Sequence, residues 1–395
     1  IIGDIHFELA NIAKKENKIY DALNHYKTAL SLQSFSNKDE VLILMGDIYF
    51  EKKLYTEAHA YYLNALSKIE TEIDSVRTLT KLISSLIMSG KTKKAQKRIL
   101  TFKEKYGKTF KDYFAEIIYY EGTYLLIKKK YDKAINRYKY ILHKYADNDR
   151  VDDADYQIAL ILYYQNKMED ALALFQEFQI KYPDSEFVPL TYFKIAMIFH
   201  GQNDFVRSAE YFTKVINAEN IDPKTRFRAA NNAAVALQKI SSWSEAAEIY
   251  KTIISKSEFS NQIHLSSYHL KTGFCLLQAS NVVEALKQFE KAIINPKKEE
   301  EPEILYWIAT CYSKLGEYSK AISEYLKVPF FYSGFGKWGI TAEFEAARLY
   351  EKRGEYNKAA TLYRKVVSSD GEYGRFGKKA LAMIQRLNTL AGDEK

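Results

Sequence analysis

Along nearly the whole chain, apolar residues recur at intervals of three and four, the period of amphipathic helices. Polar turns such as GEYSK, Gly316 to Lys320, interrupt the pattern, so it predicts a succession of helices rather than strands. In the stretch MGDIYFEKKLYTEAHAYYLNAL, Met45 to Leu66, the small residue Gly46 stands twelve places before Ala58, and Tyr62 stands four places after it. The arrangement repeats from end to end. Anchored on one small residue per unit, it gives Ala22, Ala58, Ala95, Ala134, Ala171, Ser208, Ala246, Ala285, Ala321 and Ala359, at intervals of 36, 37, 39, 37, 37, 38, 39, 36 and 38. So regular a period marks an internal repeat.

Three columns follow the anchors. Four places after them stand Tyr26, Tyr62, Ile99, Tyr138, Phe175, Phe212, Tyr250, Phe289, Tyr325 and Tyr363, nine of ten aromatic. Twelve places before stand Ala10, Gly46, Ile83, Gly122, Ala159, Ala196, Ala234, Gly273, Ala309 and Ala347, nine of ten small. Three places before stand further aromatics, among them Tyr55, Tyr131, Phe205, Trp243, Tyr318 and Tyr356. These columns predict a helical hairpin per unit: small residues let the helices approach, and the aromatic one turn past the anchor fills the gap to the next unit. One hairpin cannot bury its apolar face alone, so the units must stack.

The pattern resembles the tetratricopeptide repeat, whose usual length is about 34 residues. The resemblance covers roughly Ile1 to Ser369, with the third unit degenerate at both Ile83 and Ile99. It implies an all-α, right-handed superhelical solenoid of about ten hairpins over residues 1–395, with a bend expected at 70–108 in the degenerate unit. The segment at 375–390 reads as a capping helix with a wetter outer face, and the tail from Ala391 as frayed. The fifth unit adds a Tyr182–Pro183–Asp184–Ser185 link, in which Pro183 ends one helix and Asp184 or Ser185 can cap the next. That link is similar to those in repeats of bacterial envelope proteins, such as the outer-membrane assembly lipoproteins and the Tol–Pal-associated coordinator family.

Composition changes little in this picture. Few breakers (Pro 6, Gly 16) and many aromatics (Tyr 32, Phe 22) suit long helices with bulky contacts. A net charge of +8, scattered over the chain, gives no nucleic-acid footprint and leaves an acidic protein or a membrane surface as partner. No apolar run is long enough to span a membrane. The chain opens at Ile1 without an initiator Met, so a removed leader or a longer parent chain is expected. Cys275 and Cys311 each stand ten places before their anchors. Equivalent points on successive units sit about a helix-packing step apart, roughly 8–10 Å, beyond the roughly 7 Å a disulfide allows, so both are expected as free, packed thiols. The seven histidines show no metal-ligand spacing. A literal GxGxxG at Gly334, Gly336 and Gly339 follows a helical segment where a dinucleotide fingerprint needs a strand. No catalytic residue, cofactor or metal site is expected, and the protein reads as a non-enzyme.

In the tetratricopeptide family the first helix of each hairpin lines the concave wall. The matching column, fifteen places before each anchor, reads Phe7, Ile43, Thr80, Tyr119, Tyr156, Phe193, Asn231, Leu270, Tyr306 and Phe344. Leu160, Tyr163, Tyr164 and Met197 join it in units four to six. Either these form a tyrosine-rich trough for a helix or extended peptide, or the long units bury them against neighbouring helices. On the trough reading, changing Tyr156, Tyr163 and Phe193 to Ala weakens partner binding and spares folding. The seventh unit is polar and basic at Arg226, Arg228, Asn231, Asn232 and Lys239, either a solvated face or a contact for an acidic spot on a partner. The Val328 to Ile340 link carries Phe330, Phe331, Tyr332, Phe335 and Trp338, as an inter-unit plug or an exposed contact loop.

The resemblance implies a scaffold that binds protein or peptide elements on its concave surface. The fifth-unit link makes a periplasmic or envelope complex the first expectation. A cytoplasmic regulatory or chaperone-adaptor module, or the non-catalytic part of a larger enzyme, is the alternative. Oligomeric state and partner identity are not encoded in these patterns.

Overall fold

Ten helical hairpins in sequence order, followed by one closing helix, form the fold in the computed structural model, which describes residues 1–333 and 336–392. The first helices are α1 (Ile2–Lys15), α3 (Lys38–Glu51), α5 (Glu72–Met88), α7 (Lys111–Ile127), α9 (Val151–Tyr164), α11 (Val188–Gly201), α13 (Pro223–Lys239), α15 (Leu265–Gln278), α17 (Glu301–Lys314) and α19 (Gly336–Lys352). Their partners are α2 (Ile19–Ser31), α4 (Tyr55–Leu66), α6 (Thr92–Tyr106), α8 (Tyr131–Lys144), α10 (Met168–Lys181), α12 (Phe205–Asn217), α14 (Trp243–Ser255), α16 (Val282–Ala292), α18 (Tyr318–Phe331) and α20 (Tyr356–Asp370). The closing helix is α21 (Arg375–Gly392), and the residues at 393–395 lie outside those described. Among the described residues there is no strand, and the architecture is the all-α repeat array that the periodicity predicts. Two compact units divide it, Ile1–Thr191 and Tyr192–Lys395, and no division falls at 70–108.

Each hairpin turns by one device. The residue five places before the anchor has positive φ in all ten units: Asn17, Lys53, Gly90, Lys129, Asn166, Asn203, Ser241, Ser280, Gly316 and Gly354. The next amide then reaches back to the first helix, as Leu54 N donates to Tyr49 O at 2.9 Å and Glu317 N to Tyr312 O at 2.9 Å. This left-handed residue closing a six-to-one bond is the Schellman turn, which satisfies orphan carbonyls at the helix end. Every second helix then begins three places before its anchor, at Tyr55, Tyr131 or Trp243 for example.

The aromatic and small columns meet within a hairpin. A Cβ added at Gly46 would lie 2.5 Å from the Tyr62 ring, at Gly122 2.8 Å from Tyr138, and at Gly273 2.7 Å from Phe289. The ring lies over the small residue of its own first helix, so the small column makes room for the ring as well as bringing backbones together. Tyr26, Tyr62, Tyr138, Phe175, Phe212, Phe289 and Tyr363 are all fully buried. Each contributes about 2–3 kcal/mol by area. At the C-terminus, Phe376 of α21 packs on Phe344 with ring centroids 5.4 Å apart, and Ala380 and Leu387 join the core around Tyr363. Lys378, Lys379 and Arg386 face outward, which gives the cap its wet side.

Candidate functional site

The column expected to line a trough is largely a packing column. Tyr156 is 5% exposed, held between Phe175 at 6.0 Å, Phe178 at 6.1 Å and Phe187 at 4.9 Å. Phe193 is 7% exposed and meets Phe212 edge-on at 5.5 Å. Tyr306, Phe344 and Tyr119 likewise meet the aromatics of their own hairpins, Tyr325, Tyr363 and Tyr138, at 5.4, 5.7 and 5.6 Å. The trough reading is therefore corrected for Tyr156 and Phe193: the rings of their own hairpins, and for Tyr156 also Phe187 in the turn before α11, cover them. Tyr119 is half-buried beneath the Arg150 guanidinium at 5.1 Å, and burial pushes its hydroxyl up to about 12.

Leu160 and Met197 have a second role. They stand eleven places before their anchors, where four other units carry Asn11, Asp47, Thr123 and Thr310. Those residues bond buried tyrosine hydroxyls: Tyr26 to Asn11 at 2.6 Å, Tyr62 to Asp47 at 2.7 Å, Tyr138 with Thr123 at 3.2 Å and Tyr325 with Thr310 at 2.9 Å. The Tyr250 and Tyr363 hydroxyls are met instead by Gln238 and Glu351, each eight places before its anchor, both at 3.0 Å. Where the ring is Phe175 or Phe212, no hydroxyl needs a partner and the position is apolar. Tyr163 and Tyr164 form an edge-on pair at 6.0 Å, and Tyr164 is 52% exposed, so of the expected trough this pair is the surface-accessible part.

The polar seventh unit is engaged internally. Arg226 pairs with Glu258 at 3.2 Å and donates to Ala218 O at 2.8 Å. Asn231 accepts from the Tyr268 hydroxyl at 2.7 Å and donates to Phe227 O at 3.0 Å. Arg228 is exposed, with its guanidinium 5.1 Å from the Phe193 ring centre. In the aromatic link Trp338 acts as a plug, packed against Tyr306 at 5.2 Å and Trp307 at 6.3 Å. Phe330 and Phe331 are instead 79% and 64% exposed, and Phe335 and Gly334 lie outside the described residues.

The third unit, degenerate in sequence, carries the distinctive geometry. Ile83 occupies the small column and is fully buried, and Ile99 replaces the ring. A branched residue on α5 stands where a small one lies under the ring in the other units, and clefts flank α6 on both sides. One, about 430 Å³, lies between α6, α7 and α8 and is lined by Ile87, Ala95, Ile99, Tyr124 and Leu125, with polar Gln96, Glu121, Lys133 and Arg137. Burial raises the Glu121 carboxyl above its ordinary range, opposed by Arg137 at 3.2 Å. The other, about 540 Å³, lies between α4, α5 and α6. Helix α6 itself carries Lys93, Lys94, Lys97, Arg98, Lys103 and Lys105 against the single acid Glu104. Two signals in the sequence mark this unit, its broken columns and its basic run; reading the degeneracy only as a bend missed them.

Other chemistry is bounded. Cys275 and Cys311 are free and buried, and burial pushes both thiols up to about 12. Among the described residues no cluster of three metal-capable side chains occurs, and no helix is long and apolar enough to cross a membrane. The acidic recess at Asp112, Glu116 and Asp153 is organised around Arg150, whose guanidinium lies 2.6 Å from Asp153 and 3.7 Å from Glu116. A third cleft, about 630 Å³, is walled by Tyr306, Trp307, Trp338 and Phe376 near Lys337 and Arg348.

Three segments match models of the tetratricopeptide repeat: residues 153–185, 302–328 and 344–373. No curated protein matches the chain. Among solved structures, YrrB, described as a TPR protein with an unusual peptide-binding site, is 15% identical over 53% of this chain and 97% of its own, with a TM-score of 0.38. MamA is 19% identical over 48% of this chain and 94% of its own, also at 0.38. A tetratricopeptide repeat protein from Parabacteroides merdae is 17% identical over 68% of this chain and 98% of its own, at 0.35.

Proposed function

This chain carries tetratricopeptide repeats, and on that premise we propose that it is a non-catalytic scaffold that holds peptide or protein segments of its partners. The seat we assign is the cleft between α6, α7 and α8. The observation that carries this reading is the paired departure at Ile83 and Ile99. Nine units carry a ring where the third carries Ile99, and beside Ile99 lies a recess of apolar residues with polar groups at its rim. Concave recesses of that composition are where small segments bind.

The test restores the rule of the other units. Ile83→Ala with Ile99→Tyr recreates the small-plus-aromatic pair and fills the cleft from within. Partners captured on the immobilised wild-type protein, identified by mass spectrometry, are expected to be lost or weakened about tenfold on the double variant at unchanged helical circular dichroism, the worth of roughly 1.4 kcal/mol of contacts. Equal capture by a folded double variant would remove the cleft as the seat. The Tyr182–Pro183–Asp184–Ser185 link alone motivates an envelope complex as the setting; recovery of the native protein in the cytoplasmic fraction would discard it. In the fold the link is tied back to α9, with Ser185 donating to Asp152 at 2.6 Å and accepting from Phe187 N at 3.2 Å.

A further inference from the structure

Helix α6 presents a different chemistry on its other side. The cleft between α4, α5 and α6 has an apolar floor of Leu63, Leu79, Leu86 and Phe102. Above it stand Lys94, Lys97 and Arg98, with Thr101 one turn further on, all on one face of α6. No carboxylate is among the lining residues, and among the described residues none of these three cations forms an ion pair. At the α4 wall His59 keeps its Nδ1 buried without a hydrogen-bond partner. Burial first, and then Lys91, Arg98 and Lys94, hold its imidazole below the ordinary histidine range. Lys94 and Lys97 are exposed to water, and with Arg98 they set a positive row over an apolar floor, a pairing complementary to an anionic, partly apolar partner.

The spacing decides what kind of anion fits. From Lys94 to Arg98 is one helical turn, so the cations form a row about 6 Å long and do not converge on a point. A lone phosphate would leave most of that row and all of the floor unused. An acidic strand of nucleic acid would want a succession of aromatic platforms beside the cations, whereas Phe102 is fully buried and the one accessible ring, Tyr106, has the Lys105 ammonium 4.7 Å from its centre. We propose that this cleft docks an acidic amphipathic segment of a protein partner, its apolar side chains on the floor and its carboxylates along the Lys94, Lys97 and Arg98 row. The proposal rests on the scaffold reading and concerns a separate seat. It lies between α4, α5 and α6, apart from the cleft between α6, α7 and α8.

The probe is a fluorescein-labelled amphipathic peptide with leucines at every third or fourth position and glutamates between them, measured by fluorescence anisotropy on the full chain. Saturable binding is expected, weakened at least about tenfold by Lys97→Glu with Arg98→Glu, through lost attraction and added repulsion. Leu63→Ser, at a half-exposed floor position that leaves the core intact, is expected to weaken it several-fold. The same peptide with glutamine for glutamate should bind at least about tenfold more weakly, and rising salt should erode the difference. With the acidic peptide bound, the His59 imidazole should titrate higher in NMR, as carboxylates offset Lys91, Lys94 and Arg98.

Equal binding of the glutamine peptide, or by the folded charge-reversal variant, overturns the proposal. So does full competition by millimolar inorganic phosphate or by phosphatidylserine vesicles, which would identify the row as a site for phosphate or a lipid surface. Failure here with the Ile83 and Ile99 variant still losing captured partners removes only this seat. Failure of both removes the scaffold reading as well.

Discussion

At the residue scale, the buried tyrosines explain why some positions vary along the repeat. A hydroxyl taken into the core needs a partner, because an unsatisfied one costs about 1–3 kcal/mol. Asn11, Asp47, Thr123 and Thr310 supply it; Leu160 and Met197 stand where the ring is phenylalanine. Phe175→Tyr alone is therefore expected to destabilise the Ile1–Thr191 unit by about 1–3 kcal/mol, and Leu160→Thr in the same chain to recover most of that loss. Urea unfolding of the two variants and the double variant checks it; additive losses would show that the two side chains do not interact. The turn column offers a gain instead. Lys129 sits at φ 55°, in the left-handed region that costs an L-residue about 1 kcal/mol or more. Lys129→Gly should raise the midpoint of thermal unfolding, and an unchanged or lower midpoint would count against that strain. This column escaped the sequence because Asn, Lys, Ser and Gly share a backbone angle there and no chemistry. The small and aromatic columns were legible because steric fit admits few residue types.

At the scale of the element, the succession of helices and their pairing in hairpins followed from periodicity, whereas the boundaries did not: the turn expected at Gly316 to Lys320 is helical from Tyr318, and every second helix starts three places before its anchor. The function of the first-helix column did not. It varies in character, and variation in a repeat reads naturally as ligand contact. The structure gives another cause: its aromatic members are matched to the ring of their own hairpin, as Tyr156 is to Phe175, and Tyr156 is also covered by Phe187 in the turn before α11. Replacing Tyr156, Tyr163 and Phe193 by Ala would thus remove two core rings and is not expected to spare folding. Tyr156→Ala alone should cost about 3–5 kcal/mol, whereas Tyr164→Ala, at a half-exposed ring, should fall within about 0.5 kcal/mol of the wild type. Chemical denaturation followed by circular dichroism separates them, and near-equal losses would refute the assignment of Tyr156 to the core. The α6 clefts were hidden for the converse reason. A break in two conserved-looking columns signals only that something differs; whether the hairpin collapses around Ile99 or opens beside it depends on how Ile83 seats α5.

At the scale of the whole molecule, the chain behaves as a sum of neighbouring contacts. Each hairpin buries its rings against itself and the hairpins beside it, so stability is set by local terms and interfaces, not by one central core. Separate clusters around Tyr26, Tyr138, Phe289, Tyr325 and Tyr363 express that in side chains. The end of such an array has one neighbour fewer, and here α21 takes that neighbour's place. Phe376 lies on Phe344, and its amide and that of Gly377 donate to Asp370 at 2.7 and 2.9 Å, which fixes the start of the cap. Phe376→Ala should remove about 3 kcal/mol from this last interface, since a large ring is lost from a half-buried seat. In a globular domain with one core that loss would be shared by every amide that opens globally. In a local array it should be confined. Hydrogen exchange is expected to show faster exchange in α19, α20 and α21, with the amides of α1 to α10 unchanged. Acceleration spread evenly to α3 and α4 would mean that the units unfold as one cooperative body, and the additive description would have to be abandoned.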